Sequence, residues 1–139
     1  MKRIRVEVTR TDTYVIEIDE QIYNTEWHDQ FKEVMFTLPD FYGVKSDPEE
    51  DLEAAIHEGL AINLATFQAR MGDYAFVEGY GYVKRNGELP YGRDDFDENG
   101  NWLPEDQRRQ PAEGLNIIIE SEDSEIECEI EVLENSSDQ

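Results

Sequence analysis

The chain has 139 residues, 38% of them apolar, and carries 34 Asp and Glu against 12 Lys and Arg, a formal net charge of -22. That length suits one domain with a modest core. A charge of that sign repels nucleic acid and anionic membrane and attracts basic protein surfaces, so composition argues against direct nucleic-acid binding and membrane binding.

Cys128 is the sole cysteine, which rules out an internal disulfide and favours a cytosolic or nuclear setting over secretion, with cytoplasmic the expectation. Met1 to Arg10 alternates charged and apolar residues in place of the continuous apolar segment of a signal peptide, and no later stretch has the length of a membrane span.

Ile4, Val6 and Val8 alternate with Arg3, Arg5 and Glu7, and Tyr14, Ile16 and Ile18 alternate with Val15 and Glu17. This period of two predicts two half-buried strands joined as a hairpin across Arg10 to Thr13. A helix follows, capped by Asn24 or Thr25, with Trp27, Phe31, Val34 and Met35 on one face and Pro39 ending it. Asp47-Pro48-Glu49-Glu50 reads as the start of a longer helix, from Pro48 to Met71: a capping carboxylate, proline in the first turn, then acids at the positive end of the dipole. Leu52, Ile56, Leu60, Leu64, Phe67 and Met71 form its apolar stripe, Gly72 stops it, and Glu49, Glu50, Asp51, Glu53 and Glu58 lie on its other side.

Tyr74 to Lys84, punctuated by Gly79 and Gly81, suits a strand with a bulge, and Asn86-Gly87 signals a hairpin turn. Leu89 to Gly114 is a long loop or insertion rich in Pro, Gly, Asp and Asn. Leu115 to Glu120 and Glu125 to Leu133 are the closing strands. The fold class expected is therefore α+β: an antiparallel or mixed sheet of about five strands with two helices packed on one face. Residues 1–134 form a single acidic domain in this reading, and 135–139 a frayed tail.

The last strand concentrates the charge. Glu125, Glu127, Glu129 and Glu131 point one way, and Ile126, Cys128, Ile130 and Val132 the other. Alternate residues lie roughly 7 Å apart on a strand, whereas DNA carries a charge every ~1.7 Å of axis, so one such row is about four times too dilute to imitate DNA. Mimicry needs further rows, for which Glu49, Glu50 and Glu53, and the loop acids Asp94, Asp95, Asp97 and Glu98, are the candidates. The competing reading pairs these glutamates across strands with Arg3 and Arg5, the N-terminal strand lying beside the C-terminal one.

Asp95 to Gly100 matches the first half of a calcium loop, with Asp106 at position twelve. Against that stand Asp in place of Glu at position twelve, Pro104 in the exit, and the absence of flanking helices. The alternative is a polar hairpin turn on Asn99-Gly100 between Phe96 and Trp102. No metal and no cofactor is expected. Arg93, Arg108 and Arg109 flank this loop as compensating charges. Phe41, Tyr42, Tyr91, Phe96 and Trp102 are loop aromatics suited either to anchoring a partner or to folding back on the core.

His28 and His57 fall on helices as ordinary boundary residues, and Cys128, sharing a face with Ile126 and Ile130, is expected to be a buried thiol. No Walker loop, zincin helix or nucleophile elbow occurs, and Gly79-Tyr80-Gly81 lacks the rest of a dinucleotide fingerprint, so no enzyme is expected.

The leading functional expectation is an acidic inhibitor that occupies the basic nucleic-acid groove of a DNA- or RNA-handling enzyme. In size and charge it resembles in kind the anti-restriction and anti-CRISPR DNA mimics of phages and mobile elements. The partner-binding residues expected are those acids and Trp102. The alternatives are an acidic interaction or assembly module without mimicry, and a salt-adapted domain, which the scarcity of lysine, with only four, permits.

Overall fold

The computed structural model describes residues 1–32, 41–90, 92–122 and 127–133, with Arg93 described in its backbone alone. Contacts divide the chain into two compact units, Met1–Thr13 with Glu120–Gln139, and Tyr14–Ile119.

In the first unit, β1 (Arg3–Thr9) and β6 (Glu127–Leu133) form a two-stranded antiparallel sheet, paired from Arg3↔Leu133 through Val6↔Ile130 to Thr9↔Glu127. The other strands are β2 (Asp12–Ile18), β3 (Phe76–Val77), β4 (Gly81–Arg85) and β5 (Pro111–Glu122), ordered β2-β5-β4-β3. β4 runs antiparallel to β3 and parallel to β5. Among the described residues two α-helices with two sheets make this an α+β protein, as the periodicity predicts.

The hairpin expected between β1 and β2 does not form: both strands are present, but β1 takes β6 and β2 lies beside β5. Arg10-Thr11 supplies neither of the residue types that favour the positive φ of a two-residue hairpin, whereas β6 matches β1 along all seven residues.

Helix α1 (Thr25–Phe31) is capped by Asn24, whose side chain accepts from Trp27 N at 2.9 Å. Val34, Met35 and Pro39 lie outside the described residues. Helix α2 spans Leu52–Met71 and thus starts later than Pro48. Asp47 does cap a turn, its carboxylate accepting from Glu49 N at 2.9 Å and its carbonyl from Asp51 N at 2.8 Å. Asp51 then takes the helix cap proper, accepting from Ala54 N at 3.1 Å. Two consecutive Asp caps compete for the chain, and the second starts the helix.

The apolar stripe of α2 is the core. Ile56, Leu60 and Leu64 are fully buried, the last two packing with Tyr23, Val77, Val83, Leu115 and Ile117. At the far end Gly72, with φ 66°, donates its N–H to Gln68 O and stops the helix, while Met71 projects into solvent. The Asn86-Gly87 turn has φ 52° and 83°, the double left-handed geometry that this dipeptide tolerates best. It is tied to β5, since Asn86 Oδ1 accepts from Ile119 N and Asn116 Oδ1 from Gly87 N, each at 2.9 Å.

Candidate functional site

Register and pleat put Glu127, Glu129 and Glu131 on one face of the β1–β6 ribbon, opposite Thr9, Glu7 and Arg5 respectively. Arg5 Nη1 lies 3.2 Å from Glu131 Oε2, so the cross-strand compensation expected from sequence holds at that pair. At the next pair it fails: Glu7 stands opposite Glu129, an arrangement of like charges that costs stability. Glu125 and Ile126 lie outside the described residues.

The other face of the ribbon carries Ile4, Val6, Val8, Ile130 and Val132, between 49% and 69% exposed. Cys128 shares that face and is exposed as well, contrary to the expected buried thiol, because the face on which it sits is itself uncovered.

The helix acids separate into different roles. Glu49 and Glu50 occupy the turn before α2, and Glu53 its first turn; all three are exposed. Glu58 instead fastens the 45–46 loop to the helix: Oε1 accepts from Lys45 N at 2.8 Å and Ser46 N at 3.1 Å, and Oε2 accepts from the Ser46 hydroxyl. Those bonds, led by the Ser46 hydroxyl, hold its carboxyl below the usual range.

Within the 89–114 segment, Phe96 and Trp102 face each other across a bridge, with rings in edge contact at 4.9 Å, and Gly100 turns the chain at φ 79°. This is the polar hairpin reading. Two of the candidate calcium ligands are engaged in it. Asp97 Oδ1 accepts from Asn99 N and Asn101 N at 2.9 Å each, and Asp95, 4% exposed, forms an ion pair with Arg109. The hydrogen bond from Arg109 holds the Asp95 carboxyl below its ordinary value. Asp94 and Glu98 are exposed. Trp102, 43% exposed, has the Arg108 guanidinium 4.5 Å from its ring centre. Of the other loop aromatics Tyr42 is the most exposed, at 87%; Phe41 lies against His28, and Tyr91 is outside the described residues. His57 Nε2 is 2.6 Å from Tyr23 O, a bond that ties α2 to the start of α1.

One feature went unread in the sequence. A groove of about 710 Å³ is lined by Tyr74, Phe76 and Tyr82 with Asp73, Asp94 and Arg109. Behind it lies the buried Arg85, whose Nε donates to Gln68 Oε1 at 2.5 Å and Nη2 to Tyr74 O at 2.8 Å, while Gln68 Nε2 donates to Asp73 Oδ1 at 3.1 Å. Burial pushes the Arg85 guanidinium below its usual value, with Asp73 opposing the shift. The aromatic spacing from Tyr74 to Tyr82 was the available signal, but alternation in a strand is equally what a core strand shows.

Comparison of the chain with protein-family models, with curated proteins and with solved structures finds no match. Among the described residues no helix is long and apolar enough to cross a membrane.

Proposed function

We propose that this protein is an acidic inhibitor that binds a basic protein, occupying the nucleic-acid groove of a DNA- or RNA-handling enzyme. The observation that carries the reading is the Glu7–Glu129 pair, set between Glu127 and Glu131 on a solvent-facing ribbon. Directly opposed carboxylates weaken a sheet by ~0.2–1 kcal/mol per pair, a cost that a cation from a partner reverses. A formal charge of -22 supports the same reading by steering such a partner toward the chain.

A specific observation favours a second reading. Arg3 and Arg5 dilute the acidic face of the ribbon, and its other face exposes Ile4, Val6, Val8, Ile130 and Val132. An apolar patch of that kind suits an interaction module without mimicry.

The two readings part on competition. Tagged protein is mixed with a nuclease-treated bacterial lysate at low and moderate salt, and the retained enzyme is then challenged with duplex DNA or guide RNA. Mimicry predicts release by nucleic acid and a steep loss of binding with salt. A complex indifferent to added nucleic acid sinks mimicry and leaves the interaction module.

A further inference from the structure

We propose that the groove between the Tyr74–Phe76 segment and Asp94 is a binding site for a Lys or Arg side chain of a basic protein segment. The proposal rests on the reading of a basic partner and names where one of its side chains docks.

The walls have the chemistry that a desolvated cation needs. Tyr74 and Phe76 are 60% and 44% exposed, and Phe76 meets Tyr82 edge-on at 5.4 Å. Cations are drawn to such ring faces, and the groove already contains an instance: the Arg109 guanidinium lies 5.1 Å from the Tyr82 ring centre. Asp73 and Asp94 add carboxylates to the lining. Arg109 is the one cation described there, and its charge is matched by Asp95, to which it donates through Nε at 3.1 Å and also through Nη2. Asp73 is set against the buried Arg85, so the balance left among the described side chains of the groove is that of Asp94, which favours a cation and disfavours an anion.

The walls are also held in place, which lowers the ordering cost of binding. Arg85 fixes the Tyr74 carbonyl, Gln68 fixes Asp73, and Arg109 Nη2 donates to Pro90 O at 2.7 Å. Gly92 admits the Arg109 guanidinium, since a Cβ there would lie 2.9 Å from it. At about 710 Å³ the groove is larger than one guanidinium.

The test is calorimetry at physiological salt with acetyl-Gly-Arg-Gly-amide, its Lys counterpart and its citrulline counterpart, which keeps the shape of Arg and removes the charge. The Arg and Lys peptides are expected to bind at millimolar or better, and the citrulline peptide about tenfold more weakly. Phe76→Ala and Asp94→Asn, each checked for unchanged unfolding, are expected to lower the affinity of the Arg peptide about tenfold. The double variant Glu127→Gln, Glu129→Gln is expected to leave it unchanged. Equal binding of the citrulline peptide, no binding of the Arg peptide at millimolar concentration, or loss in the ribbon variant equal to that in the groove variants overturns the proposal. Peptide binding that persists when no retained enzyme is released by nucleic acid keeps the groove and removes only the mimicry.

Discussion

The ribbon alternates strictly, whereas β5 carries the run Ile117, Ile118, Ile119, and the two reach opposite ends of the burial scale. Val6 and Ile130, paired across β1 and β6, are 52% and 69% exposed, whereas Leu115 and Ile117 on β5 are 2% and 0% exposed. Strict alternation makes a strand two-faced, and it says nothing about whether the apolar face acquires a cover. A two-stranded ribbon is marginal in water by itself. The ribbon therefore draws little stability from its own pairing, and among the described residues its apolar and acidic faces are both exposed.

The sharpest way to break that contrast is to remove the same kind of group from each region. Leu64→Ala is expected to cost about 3–5 kcal/mol, the range for a large aliphatic lost from a packed core. Ile130→Ala, which deletes a side chain already in solvent, should cost less than ~1 kcal/mol. Urea midpoints at constant slope read both. A loss at Ile130 comparable to that at Leu64 would mean that the ribbon belongs to the cooperative core.

Glycines in the 14–119 unit give the next largest effect. Gly114 has φ 79°, and a Cβ there would lie 2.7 Å from the Asp19 Cβ and 2.9 Å from Ile22 Cδ1. Left-handed strain and overpacking together put Gly114→Ala at about 2–4 kcal/mol. Gly100 has the same φ with open space around it, so Gly100→Ala bears the backbone strain alone, about 1 kcal/mol. Equal losses in thermal unfolding would show that the contact with Asp19 and Ile22 adds nothing.

These contrasts also mark what sequence can disclose. The Asn24 cap, the α2 stripe, the Asn86-Gly87 turn and the Phe96–Trp102 hairpin are legible because each is decided within a few residues by backbone chemistry. Pairing of the first and last strands is legible only as an alternative, through the complement of Arg3 and Arg5 to the last strand's glutamates, because the same alternation suits the β1–β2 hairpin that does not form. The start of α2 is not, because Asp47 and Asp51 are both competent caps and local chemistry does not rank them. The exposure of Cys128 and the groove depend on long-range placement. Gln68, Asp73 and Arg85 come from a helix, a loop and a strand, and no pattern along the chain announces that they will share one network.

Acid should open the 92–109 loop as a local event. Pairing with Arg109 lowers the Asp95 carboxyl below its ordinary 3.8 in the folded protein. A lowered folded value means that the pair's contribution is complete above the unfolded value and is lost as pH falls through the folded one. Trp102 fluorescence, reporting a ring packed between Phe96 and Arg108, is expected to change only below about pH 4. In Asp95→Asn the loop should be open at neutral pH and the acid transition gone. An unaltered transition in that variant would assign it to another carboxylate.

The smallest effect tests the electrostatics of the ribbon directly. Glu129→Gln removes the charge facing Glu7, and a like-charge pair relieved in this way is expected to stabilise the ribbon by ~0.2–1 kcal/mol. Glu131→Gln removes the partner of Arg5 and should act in the opposite direction by a similar or smaller amount, since both side chains are exposed. Amide exchange in β1 and β6 separates the two, slowing in the first variant and quickening in the second. High salt screens both effects, so their convergence toward wild-type rates as ionic strength rises shows that charge, and not side-chain shape, sets the sign.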